Sequence, residues 1–62
     1  MASITNMVKQ CAGLVDTKDV TAWENAFLHS ILRQTKNGDD TRSLTEKQIE
    51  VLERIYGKNF EG

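Results

Sequence analysis

Apolar residues in this chain recur every three or four positions in three blocks, and two polar segments separate the blocks. That recurrence is the period of an amphipathic α-helix, and no stretch alternates with the period of two that a half-buried strand requires. Proline, which would interrupt a helix, is absent. The fold expected is all-α: a three-helix bundle, or a helical hairpin with an additional N-terminal helix, in one small domain over residues 1–62.

The first block contains Ile4, Met7, Val8, Cys11, Ala12, Leu14 and Val15. It predicts a helix over 3–15, with Ser3 as its N-cap. Gly13 weakens the interior by about 1 kcal/mol relative to alanine. Asp16-Thr17-Lys18-Asp19 has no apolar side chain and reads as a break. The second helix is predicted over 20–36, with Val20, Trp23, Ala26, Phe27, Ile31 and Leu32 on its apolar face and Leu28 widening the stripe. Asp19 or Thr21 caps it, and Thr21 with Glu24 fits a capping box. Asn37-Gly38 ends it, since both tolerate a left-handed backbone. The third helix is predicted over 45–56. Thr45 and Gln48 form a second capping box, Leu44 and Ile49 occupy staple positions, and Gly57 falls where a left-handed terminal glycine is expected.

A domain of 62 residues buries only about 60% of the surface of its unfolded chain. Small scaffolds often compensate with disulfides, a metal or a partner. One cysteine, Cys11, and one histidine, His29, leave no internal disulfide, and no four-ligand zinc site unless acidic residues or a second chain contribute. Association is the device that remains, so a protein partner or self-association is expected. No cofactor or small-molecule substrate is expected. The net charge of −1 argues against a dedicated nucleic-acid binder. No apolar run approaches the roughly 18–20 residues that span a bilayer, so no membrane association is expected. The N-terminus lacks the features of a secretory signal. With a free thiol, this makes the cytoplasm the expected compartment. Met1 and the lack of tag-like residues suggest a free-standing protein.

No catalytic constellation is visible, and the reading is that the chain is not an enzyme. Cys11 falls on an apolar face and behaves as a small hydrophobe. His29 falls at a boundary position. The NGDD stretch before Thr41 lacks the pattern of a calcium loop. Two candidate surfaces remain. Arg33, Lys36, Arg42 and Lys47 gather around the second interhelical loop and are candidate nucleic-acid contacts, or else a solvated helix end. Trp23, Phe27, Leu28 and Leu32 are candidate protein-binding residues, because the second helix carries more apolar surface than one neighbour needs. The aromatic side chains Trp23, Phe27, Tyr56 and Phe60 are expected mainly in the core, with one or two available for an interface.

The segment Ser43–Lys58 is similar to the opening helix of helix-turn-helix regulators, but that motif also needs a following recognition helix, and four residues follow Lys58. A longer resemblance begins with Trp23, Glu24, Phe27, Leu28, Ser30 and Ile31. It continues with Leu44, Thr45, Lys47, Gln48, Leu52, Ile55 and Lys58. This outline resembles a short helical hairpin of small phage proteins and of phage replication and recombination proteins. The resemblance implies a phage accessory protein that binds another protein of DNA metabolism. The alternative is a small DNA-binding factor using the basic residues around the 37–44 loop.

Overall fold

The computed structural model describes residues 3–61. Helix α1 spans Ile4–Cys11 and tightens into one 3₁₀ turn over Ala12–Leu14. Helix α2 spans Ala22–Gln34 and α3 spans Glu46–Tyr56. The described residues include no strand. Helix α1 is the central element. It packs on α3 and also meets α2, while α2 and α3 approach each other least.

The helix starts follow local side-chain chemistry. The Ser3 hydroxyl accepts from the Asn6 N–H at 3.1 Å. Thr21 and Glu24 close a complete capping box, and so do Thr45 and Gln48. Each box supplies partners for N–H groups that the first turn leaves unpaired.

The helix ends depart from the sequence pattern. The first helix does not continue to Val15. It tightens after Cys11, and the Thr17 hydroxyl donates to the Leu14 carbonyl at 2.6 Å to close the turn. Asp16 then takes φ 62°, its N–H held by Asn25 Oδ1 at 2.7 Å. Helix α2 begins at Ala22 rather than 20 and stops at Gln34 rather than 36. Lys36, Asn37 and Gly38 then run with positive φ, the last at 96°. A Cβ on Gly38 would lie 3.1 Å from Lys9 Cγ, so this turn seats directly on α1. Gly57 is not a left-handed terminator. Its φ is −61°, and the chain widens into a π turn over Gly57–Glu61. Asn59 Nδ2 donates to the Ile55 carbonyl at 2.9 Å within it.

The core consists of Met7, Val8, Cys11 and Leu14 from the first segment, Leu28 and Ile31 from α2, and Leu52 and Ile55 from α3. Among the described residues one polar side chain, Thr35, is fully buried. Its hydroxyl donates to the Ile31 carbonyl at 2.7 Å and accepts from the Gly38 N–H at 3.0 Å, so no lone donor is stranded.

Two of the four aromatic side chains lie outside the core: Trp23 is 62% exposed and Phe60 is 43% exposed. Trp23 stands in the first turn of α2. Phe60 lies past the end of α3 and leans on Tyr56, with ring centroids 5.2 Å apart.

Candidate functional site

Of the four residues expected to form a protein-binding stripe, two belong to the fold. Leu28 is 1% exposed and lies at the centre of the core, and Leu32 packs against the core edge. Their periodicity with Ile31 and Thr35 turns this flank of α2 inward. The surplus apolar surface lies instead on the flank that carries Trp23 and Phe27.

That flank lines an open groove of about 320 Å³. Trp23, Ala26, Phe27 and Ser30 recur at i, i+3, i+4 and i+7 along α2, and Gln48 of α3 faces them. The Trp23 and Phe27 rings stack with centroids 5.5 Å apart and planes 8° from parallel. Phe27 is half-buried and touches the core, so it anchors the indole. Stacked aromatic pairs of this kind contribute about 0.5–1.5 kcal/mol beyond their buried area. The pair therefore presents a rigid apolar platform.

Polar clasps close both ends of the α2–α3 seam. At one end Gln48 Nε2 donates to Gln34 Oε1 at 3.0 Å, and Gln34 Nε2 donates to the Ser43 carbonyl at 3.0 Å. At the other, Lys58 Nζ donates to Glu24 Oε2 at 3.0 Å. The two pairings also show that α2 and α3 run antiparallel. Glu24 serves its own helix as well, because Oε1 accepts the Thr21 N–H at 2.8 Å. The Thr21 N–H first, and Lys58 second, hold the Glu24 carboxyl below its ordinary range. Both clasps thus use residues that already build capping boxes, which ties the groove's width to the two helix starts.

The four candidate cations are all exposed, but they are not equivalent. Arg42 is committed to Asp40: Nε and Nη2 reach the two carboxylate oxygens at 3.0 and 3.1 Å, and the Arg42 N–H adds a third contact at 3.1 Å. These donors bring Asp40 down to about 2. Lys36 sits in the left-handed turn. Arg33 and Lys47 flank Gln34 and Gln48 in sequence, and the glutamine pair brings their helix ends together.

The remaining reactive groups are separated by the fold. Cys11 is fully buried, and burial pushes its thiol up to about 11, so no thiolate forms near neutrality. His29 lies on the surface, its Nε2 3.2 Å from Asp16 Oδ1. This contact, with Asn25, pins the α1–α2 loop to α2. Among the described residues no three His, Cys, Asp or Glu side chains converge as a metal site. No described helix is long and apolar enough to cross a membrane.

The exposed tryptophan gave no distinct sequence signal, because its spacing fits the apolar stripe as well as Phe27 does. Compared with known protein families, curated proteins and solved structures, the chain has no match.

Proposed function

We propose that this chain is a non-enzymatic accessory module that binds another protein through the Trp23–Phe27 groove. One observation carries the reading. The largest apolar side chain of a small domain is 62% exposed and is held flat on a second ring. Aromatic anchors of this kind concentrate binding energy at interfaces, because they bring large area at low conformational cost. The resemblance to phage hairpins supplies the context of the proposal, a phage-type protein whose target belongs to DNA metabolism. The DNA-binding alternative is the weaker reading, since Arg42 is already neutralised by Asp40.

A photo-crosslinking residue at Ser30, compared with one at Gln10 on the far side of α1, tests the site in cells. The expected result is a distinct adduct from Ser30 alone, reproduced with purified target and lost in Trp23→Ala with unchanged circular dichroism. Identical adduct patterns from the two positions would overturn the proposal.

A further inference from the structure

Helix α3 segregates its charges. Lys47, Val51 and Arg54 recur at i, i+4 and i+7, one row of the helix surface, and Lys58 follows in the turn beyond it. Glu46, Glu50 and Glu53 recur at i, i+4 and i+7 on the next row. Gln48 reaches Gln34, and Lys58, in the turn that follows the row, reaches Glu24, so the cationic row borders the α2 side of α3. The acidic row lies about a further 100° round the helix from Gln48. On α2, Arg33 continues the row of Ala26 and Ser30 past the groove's end.

Among the described residues, the ion pairs consume Lys9, Arg42, Lys58 and, when protonated, His29. Arg33, Lys47 and Arg54 form none of these pairs and are exposed. The acidic side chain on the groove's seam, Glu24, is already held by Lys58 and by the Thr21 N–H. The groove's own lining, Trp23, Ala26, Phe27, Ser30 and Gln48, is uncharged. In a chain of net charge −1, the exposed cations Lys47 and Arg33 flank it, one residue from Gln48 and three from Ser30.

From this complementarity we infer that the occupant of the groove is an acidic amphipathic segment of a partner protein. It lies along the α2–α3 seam. Its apolar side chains cover Trp23 and Phe27, and its carboxylates meet Lys47, Arg54 and Arg33. The antiparallel helices and the open upper side give the shape of a helix-in-groove site, where apolar anchors supply affinity and flanking charge supplies register. The inference rests on the protein-binding reading of the groove and adds the chemistry of the partner.

Three synthetic amphipathic helices test it, identical in their leucine and phenylalanine face and flanked by glutamate, glutamine or lysine. Oligodeoxythymidine is a fourth probe. Shifts of the Trp23 indole and Ser30 amide resonances in the ¹⁵N-labelled full chain report groove occupancy. The glutamate peptide is expected to bind at least about tenfold tighter than the lysine peptide at low salt. The preference should shrink as salt shortens the screening length. In Lys47→Glu/Arg54→Glu, both exposed changes, the order should reverse. Equal binding of all three peptides would overturn the charge inference and leave the groove reading standing. Shifts from none of the peptides would overturn both. Shifts from oligodeoxythymidine alone would make the site one for single-stranded nucleic acid.

Discussion

One flank of α2 carries Leu28, Ile31 and Thr35, all buried; the other carries Trp23, Ala26 and Ser30, all exposed. Both flanks offer apolar side chains at helical spacing, and the exposed one offers the larger ring. The difference lies in what each flank meets. Leu28 and Ile31 fall midway along α2, where α1 and α3 converge with Val8, Cys11, Leu52 and Ile55. Trp23 falls in the first turn of α2 and stays largely exposed. Burial follows position relative to neighbours rather than side-chain volume. The proposed partner-binding surface rests on this exposed indole and its stacked neighbour.

The strongest way to break this contrast is to exchange the roles of the flanks. Leu28→Ala should cost about 2–5 kcal/mol, a large share of the stability available to a domain of this size. Leu28→Asp should unfold the chain. Loss of the helical signal in circular dichroism, with fast labelling of the otherwise buried Cys11 thiol, is the expected readout. A folded Leu28→Asp would show that α2 tolerates rotation and that the two flanks are interchangeable.

A smaller loss probes the turn that sets the rotation of α2 against α1. Gly38→Ala should destabilise by about 1–2 kcal/mol, because an L-residue is disfavoured at positive φ and its Cβ presses on Lys9. Urea denaturation measures it, and parent-like stability would mean that the turn is free to adjust.

Trp23→Ala sharpens the comparison from the other side. Its effect on stability should stay within about 0.5 kcal/mol, apart from the lost stacking with Phe27, while partner binding disappears. A destabilisation like that of Leu28→Ala would place the indole among the determinants of the fold.

The smallest effect concerns the loop between α2 and α3. Asp40 is lowered from 3.8 to about 2, chiefly by the Arg42 side chain and then by its backbone N–H. A depressed carboxylate contributes stability above its unfolded value, and that contribution is lost as pH falls through the folded one. Arg42→Ala should therefore lower the melting temperature slightly at neutral pH. The gap from the parent should close as pH drops from 3.8 towards 2. The partners are two residues apart and exposed, so the unfolded chain retains part of the pairing and the effect stays small. A gap that persists at the acid end would assign the role of Arg42 to something other than Asp40.

Sequence alone determined the helical class, the caps of the first and third helices and the left-handed turn at Asn37-Gly38, and it left the second cap between Asp19 and Thr21. Each rests on residues within a few positions of one another: Ser3 with Asn6, Thr21 with Glu24, Thr45 with Gln48. The cationic and acidic rows of α3 were equally present in the spacing, but no local rule says which row faces α2. Tertiary structure alone decided the rotation of α2, which buried Leu28 and left Trp23 outside. It also carried the chain past Gly57 into a π turn, whose Lys58 reaches back to Glu24. A cap is a contact between near neighbours and is written into them. The choice between two apolar flanks depends on helices far along the chain, whose packing no helical period encodes.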